Sequence, residues 1–275
     1  MEKKIIVVAT PIGNISEISN RAIEKLNENR YFFCEDTRVS KKLFNSLEIS
    51  ILNKTFYTLN DINENNFVDN FDFKENCYVL LSDAGYPMLS DPGYYLINHF
   101  IKNNWNIEVV NGPSSIMHAL VTSGFPTKNF MFYGFLNHNE NIRKKELIEL
   151  RKEKKTIMIF ESVHRIKNTL KILDDFFTDN NICICRELTK LNETIYRGTA
   201  KKIIDQITEK GEFVILIDNN KVDNESNNED VILFEINNLI KKGEKDKIAC
   251  KIVGYKYQKK SNELYGLWQS NKNNV

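Results

Sequence analysis

The stretch whose reading decides the architecture is 80-LLSDAGYPMLSDPGYYL-96. It opens as the apolar end of "CYVLL", dissolves into Asp83, Gly85, Pro87, Asp91, Pro92 and Gly93, and resumes with helical spacing. An apolar run that stops at an acidic, glycine-rich turn and restarts as a helix marks a strand–loop–helix unit. Asp91 followed by Pro92 predicts a helix start there, with Asp91 as N-cap and Pro92 at the first helical position. Leu96, Ile97 and Phe100 then face inward, and capping alone is reason enough for Asp91.

The same theme recurs on either side. "KIIVVA" ends at "TPIGN", after which Ala22, Ile23 and Leu26 fall at helical spacing. "YFFC" ends at "EDTR" before "KKLFNSL", and "IEVV" ends at "NGPSS". Runs buried on both faces and alternating with helices indicate a parallel sheet in an α/β fold. A second unit follows "SGFPTKN", with the runs "FMFYGF", "TIMIFES", "ICICREL" and "EFVILID". The text then turns to "NNKVDNESNNED", which lacks core residues and reads as a polar linker. Beyond it lie three short helical patterns. The expected division is 1–113, 114–220, a linker at 221–230 and a small basic helical domain at 231–275.

Composition sets the outer limits. The 275 residues are 41% hydrophobic and 27% charged, ordinary values for a globular chain large enough to bury a core without disulfides or metals. A formal net charge of +1 advertises no nucleic-acid partner globally. The tail, however, carries Lys241, Lys242, Lys245, Lys247, Lys251, Lys256, Lys259 and Lys260, a segment that attracts phosphate or simply solvates helix surfaces. Five cysteines without a C-x-x-C pair suit reduced thiols in a cytoplasmic protein, and Cys183 and Cys185 should share one face of a strand. The apolar run in "MEKKIIVVATPIGN" is too short for a signal peptide, and no segment reaches membrane-spanning length. His99 and His118 fall in apolar helices as core or half-buried groups, and no histidine spacing suggests a metal.

Ligands of open parallel sheets bind at the carboxyl ends of the strands. The four loops expected there, "TPIGN", "EDTR", "SDAGYPMLSD" and "NGPSS", offer acids, small residues and backbone, with almost no lysine. Neither a dinucleotide fingerprint nor a P-loop follows a strand. A cationic or zwitterionic small ligand with an adenosine portion fits better, since acids can face its positive centre and glycine admits close approach.

Taken in order, "VVATPIGNISEIS.RA", "EDTR", "LLSDAGYPMLSDPGY", "GPSS...AL..SGFPT..F.F.GFL", "ESVHRI...L" and "RELTK..E...RG" resemble the tetrapyrrole-methylase superfamily. The resemblance is to its RsmI branch, which 2′-O-methylates a cytidine in the decoding region of 16S ribosomal RNA. It runs from about Lys4 to Asp218, and the lysine-rich tail is similar to that branch's C-terminal helical domain. It implies two α/β domains with S-adenosylmethionine (AdoMet) in the cleft between them, 16S rRNA or the small ribosomal subunit as partner, and a homodimer. By position, Pro11, Gly13, Asp83, Ala84, Gly85 and Pro87 match the AdoMet loops, Ser114 and Ser115 the loop near the adenosine. Phe135, Leu136, Gly211 and Glu212 should close the pocket. The chain departs from the family pattern at Tyr86, where Thr is usual, at Val163 and after Leu136, where Pro is usual, and at "NGPSS".

A ribose hydroxyl is a poor nucleophile, so a carboxylate or imidazole that takes its proton would assist transfer. Glu35, Asp36, Glu161 and His164 are the candidates for that role. Arg165 stands beside His164 to hold a phosphate, while Ser162 and His164 also suit a plain helix start. Asp36 with Arg38 reads equally as a structural ion pair. Lys190 and Arg197, with Glu187, serve either RNA backbone or a dimer contact, and Lys256, Lys259 and Lys260 are RNA contacts from the tail. Tyr255, Tyr257, Tyr265 and Trp268 either stack on bases or form the core of a three-helix module. Two other readings stay open: a small-molecule methylase acting on a tetrapyrrole or diphthine precursor, and a non-catalytic RNA-binding assembly factor.

Overall fold

The computed structural model describes residues 2–60, 64–220, 229–257 and 259–272. Residues 221–228 of the expected linker lie outside the described residues. The chain forms two compact units, Met1–Ala119 with Glu187–Thr194, and Leu120–Arg186 with Ile195–Val275.

The first unit is built on a parallel sheet of β1 (Lys4–Val8), β2 (Tyr31–Cys34), β3 (Thr55–Thr58), β4 (Cys77–Leu81) and β5 (Asn106–Val110), in the order β3-β2-β4-β1-β5. Side chains alternate between two buried faces. Ile6, Val8, Phe32, Cys34, Val79 and Leu81 meet α1 (Asn20–Glu28) and α2 (Thr37–Ser46) through Ala22, Leu26 and Phe44. Ile5, Val7, Phe33, Tyr78 and Leu80 meet Val68 of α3 (Glu64–Asn70) and Leu96, Ile97 and Phe100 of α4 (Tyr94–Lys102). Double burial is what continuous apolar runs require. Strand β3, "TFYT", escaped the sequence reading because it is an edge strand with partly exposed faces.

The second sheet holds β6 (Phe130–Phe135), β7 (Thr156–Glu161), β8 (Ile182–Arg186), β9 (Thr194–Gly198) and β10 (Phe213–Asp218), in the order β6-β7-β10-β8-β9. It is mixed: β6 and β7 are parallel, while β10 runs against both β7 and β8. Cys183 and Cys185 share a face, their sulfurs 4.0 Å apart. On the other face Ile157, Ile159, Ile182, Ile184, Ile215 and Ile217 pack on α6 (Glu140–Leu150), α7 (Ile166–Phe176) and α8 (Ala200–Ile204). The tail helices α9 (Glu229–Lys241), α10 (Asp246–Lys256) and α11 (Ser261–Lys272) contribute Ile232, Ile236, Val253, Leu264 and Trp268 to this same core. Of the tail aromatics, Tyr257 and Trp268 are core groups and Tyr255 and Tyr265 pack half-buried against them: Trp268 donates to Asn237 Oδ1 at 2.8 Å, and Tyr257 Oη donates to Glu235 Oε1 at 2.9 Å.

One helix start differs from expectation. α4 begins at Tyr94, two residues beyond Pro92, with Gly93 as its N-cap (φ 132°) and no side-chain cap. The chain is still turning through left-handed conformations at Ser90 and Gly93, so Asp91 cannot sit at the cap. The buried carboxylate of Glu64 accepts the Leu96 N–H at 2.9 Å instead, supplying from α3 what a local cap would have supplied.

Candidate active site

In the first unit α1 and α4 pack on opposite faces, so the loops leaving β1 and β4 part to opposite sides at the carboxyl end of the sheet. That is where ligands of open α/β sheets lie. The two loops are stitched together. Thr10 N–H donates to Gly85 O at 2.8 Å, and Gly85 N–H returns to Thr10 O at 3.1 Å. Thr10 Oγ1 donates to Ser82 O at 3.2 Å, and Ser82 Oγ donates to Gly85 O at 3.0 Å. Gly85 has φ +78°, the left-handed region that a Cβ disfavours, and a Cβ there would lie 3.3 Å from Ile12. Met88 and Ser90 also adopt positive φ. Such a cluster of unfavourable dihedrals persists only where surrounding contacts over-determine it.

The remaining loops of this unit fill in the site. A Cβ on Gly13 would fall 2.5 Å from Lys190 Cγ and 2.7 Å from Thr189 Oγ1, so the segment at 187–190 lies directly on the first loop. Asn14 N–H donates to Thr189 Oγ1 at 3.0 Å. Pro11 and Asp83 are half-buried, Ala84 is exposed and Pro87 is buried. Asp83 Oδ1 accepts the Asp36 N–H at 3.2 Å, joining the second loop to the third, and burial pushes the Asp83 carboxyl above its usual range. Ser114 Oγ accepts the Met117 N–H at 3.4 Å at the start of α5 (Ser115–Ser123).

Asp36 is the N-cap of α2, accepting the Arg38 N–H at 2.8 Å. The Arg38 guanidinium forks onto the same carboxylate, Nη2 to Oδ2 at 2.6 Å and Nε to Oδ1 at 3.0 Å. These bonds hold Asp36 down to about 2. The structural ion pair that the sequence left open is therefore present, and it leaves a carboxylate with little affinity for a proton at neutral pH. Arg38 itself is 86% exposed in its side chain.

In the second unit the antiparallel sense of β10 brings Gly211 and Glu212, just before Phe213, to the end of the sheet where β7 finishes at Glu161. Phe135, at the end of β6, lies at this end too. Glu161 has a fully buried side chain. Its carboxylate accepts from Ser162 N–H at 2.7 Å, Thr169 Oγ1 at 2.6 Å and Arg165 Nη2 at 2.7 Å. A carboxylate so enclosed braces its neighbours. Arg165 also donates to Leu136 O at 3.0 Å and Ser162 Oγ at 3.3 Å, which ties the ends of β6 and β7 to the start of α7. Only 16% of its side chain is exposed, so it is a brace before it is a phosphate clamp. His164 beside it is exposed, and Val163 packs against the core.

The expected RNA contacts divide in two. Lys190 Nζ pairs with Glu187 at 2.9 Å, and Arg197 donates to the Thr122 carbonyl at the end of α5. Lys256 is 12% exposed, with Nζ 2.6 Å from Glu235 and 3.0 Å from Asp179. Burial opposes its charge, but these two acids outweigh that and raise its pKa. Lys242 and Lys251 likewise pair with Asp175 and Glu149, so much of the tail's positive charge is spent inside the second unit. Lys259 is half-buried, while Lys260 is 86% exposed and only loosely near Glu263 at 4.0 Å.

Sequence reasoning missed Thr10 and Glu64 and took Ser82 only as the start of the third loop; all three are buried polar groups that organise the first unit's loops. Thr10 and Ser82 stand at the edges of quoted motifs, and position beside a turn is the signal that could have found them. Among the described residues no group of three or more His, Cys, Asp or Glu is placed to hold a metal ion, and no helix is long and apolar enough to cross a membrane.

Comparison with known proteins extends this picture. The family model for tetrapyrrole (corrin/porphyrin) methylases matches residues 4–204. A protein of Mycoplasma genitalium named ribosomal RNA small subunit methyltransferase I is 43% identical over 97% of this chain and 98% of its own length. A Rickettsia prowazekii protein of the same name is 37% identical over 80% of each chain. Among solved structures, a precorrin-6Y methylase from Archaeoglobus fulgidus superposes with a TM-score of 0.55 at 18% identity, covering 80% of this chain and all of its own. A diphthine synthase superposes with a TM-score of 0.58 at 12% identity over 78% of this chain and 90% of its own. At those identities the structural likeness establishes the fold alone.

Proposed function

Because the chain belongs to the tetrapyrrole (corrin/porphyrin) methylase family, we propose that it is an AdoMet-dependent methyltransferase that modifies the ribose 2′-hydroxyl of a cytidine in the decoding region of small-subunit ribosomal RNA. One observation carries the choice of substrate class. Proteins named ribosomal RNA small subunit methyltransferase I are 43% and 37% identical to this chain over 97% and 80% of it, whereas the corrin and diphthine enzymes share its fold at only 18% and 12% identity.

The loops of the first unit fit the cofactor. They offer no cationic cradle for a pyrophosphate, and they do offer the half-buried Asp83 and a glycine whose conformation a side chain would oppose. Pro11, Gly13, Asp83, Ala84, Gly85, Pro87, Ser114 and Ser115 would hold it. Bound AdoMet supplies an electrophilic methyl group on a sulfonium. The protein's task is then to hold a ribose oxygen in line with that methyl, and orientation of this kind reaches effective molarities on the order of 10⁵ M or more.

Proton removal is the smaller contribution, roughly 10²- to 10⁴-fold where a base is positioned. Asp36 and Glu161 are better suited to orient Arg38 and Arg165 than to take that proton, which leaves the exposed His164 as the acceptor we assign. Arg38, Lys259 and Lys260 are the RNA contacts we assign first, since phosphate contacts set register and need accessible cations. Lys190, Arg197 and Lys256 would contribute through the surfaces they brace. We further propose a cytoplasmic homodimer.

The test is transfer of labelled methyl from AdoMet to small ribosomal subunits taken from cells lacking the modification, followed by mapping of the product. Label at a single cytidine 2′-oxygen is expected. Label on a base, or none on the subunit, would overturn the proposal.

A further inference from the structure

We propose that Tyr86 and Asn111 form a latch that closes the third loop of the first unit onto the fourth and so positions the 112–115 backbone for the cofactor; this rests on the AdoMet reading above. Between Ser82 and Gly93 the chain takes positive φ at Gly85, Met88, Ser90 and Gly93. Methionine and serine gain nothing intrinsically from that conformation, so the loop depends on outside contacts for its shape. The Thr10–Gly85 bridge anchors its beginning. The next anchor is the Tyr86 hydroxyl.

That one group fills both hydrogen-bonding roles. It donates to Asn111 Oδ1 at 3.3 Å and accepts the Gly112 N–H at 3.2 Å. Gly112 has little freedom of its own, since a Cβ there would lie 3.0 Å from both the Cβ and the carbonyl oxygen of Ala9. The Asn111 carbonyl in turn accepts Ser19 Oγ at 3.3 Å, at the N-cap of α1. The latch therefore ties the end of β1, the third loop, the fourth loop and the start of α1 into one piece, immediately before Ser114 and Ser115.

Tyr86→Phe removes only the hydroxyl, and so leaves the ring and the fold in place. AdoMet affinity by calorimetry should weaken about two- to tenfold, the range set by one net hydrogen bond. Amide exchange at Gly112 should accelerate, and the effect should fall on the KM for AdoMet more than on kcat. Asn111→Asp, whose carboxylate still accepts the phenol proton, should bind AdoMet more tightly than Asn111→Ala. The double variant Tyr86→Phe/Asn111→Ala should be no weaker than Tyr86→Phe alone. Unchanged affinity and exchange in Tyr86→Phe, or full additivity in the double variant, would overturn the latch while wild-type binding stands. Absence of AdoMet binding by the wild type would instead sink the cofactor reading and this inference with it.

Discussion

Replacing Gly85 separates conformational strain from the loss of a loop anchor. An L-residue at φ +78° pays about 1–2 kcal/mol for the left-handed conformation. The loop can relieve that strain only by opening, which breaks the two backbone bonds to Thr10 and the two side-chain bonds among Thr10, Ser82 and Gly85. At about 0.5–1.5 kcal/mol each, their loss costs about 2–6 kcal/mol. Gly85→Ala should therefore bear its strain with the loop closed, lowering Tm by roughly 2–8 °C and leaving AdoMet binding within about tenfold. Valine adds crowding against the buried Ile12, where overpacking costs about 1–3 kcal/mol, and its branched Cβ suits positive φ least. Its total, about 2–5 kcal/mol, reaches the cost of opening, so Gly85→Val should release the loop and abolish AdoMet binding in a protein that still folds. Thermal denaturation and calorimetric titration of the two variants, side by side, decide the matter. Wild-type affinity in Gly85→Val would show that the cofactor does not use this loop, and complete loss in Gly85→Ala would show that conformational strain is not the controlling term.

The other predictions test the residues around that loop and the tail. Asp36, held to about 2, should titrate by NMR well below the ordinary carboxylate value of about 3.9. Because its pKa is lowered, the Arg38 fork should persist at every pH above about 4 and open only as pH falls through about 2, so an acidic limb of kcat near neutrality cannot belong to Asp36; a midpoint above 4 contradicts this. Glu161→Gln leaves the Arg165 guanidinium with a weakened partner in a mostly buried setting and should cost roughly 2–4 kcal/mol of stability; a normal Tm with a depressed single-turnover rate would restore Glu161 as a proton acceptor. Lys256, whose pKa is raised, lends its pairing with Glu235 and Asp179 fully below its unfolded value of about 10.4 and loses it only as pH climbs through the higher folded value. Lys256→Met should therefore lower Tm alike at pH 6 and pH 8, and a loss of RNA binding with unchanged Tm would mark it as a direct contact. Truncation after Asp218 strips Ile232, Val253 and Trp268 from the second core and should destabilise that unit; an unchanged Tm would return the tail to the role of a separate domain.

Some of this was available from the residues in order, because it depends on local periodicity. Apolar runs of strand length, punctuated by glycine, proline and acids, determined the parallel α/β unit, and Leu96, Ile97 and Phe100 were correctly placed on the inward face of α4. Turn composition likewise announced the loop around Gly85, since only glycine adopts its φ without strain. The motifs carried the family. What they could not carry was the partner of each polar group, which depends on residues far away in sequence. Glu64 reaches across from α3 to the first turn of α4, so no local rule could find that cap or displace Asp91 from it. Glu161 looked like a free acid because sequence does not show the burial that encloses it, and for Asp36 the sequence offered both a base and an ion pair with Arg38, a choice that only the folded fork makes. The tail's lysines read as an open basic surface, yet Asp175, Asp179, Glu149 and Glu235 take up several of them once the helices dock. Periodicity is written in neighbours a few residues apart and survives in the bare sequence. Charge compensation and the satisfaction of buried donors are settled between segments up to a hundred residues apart, and only the folded chain brings those together.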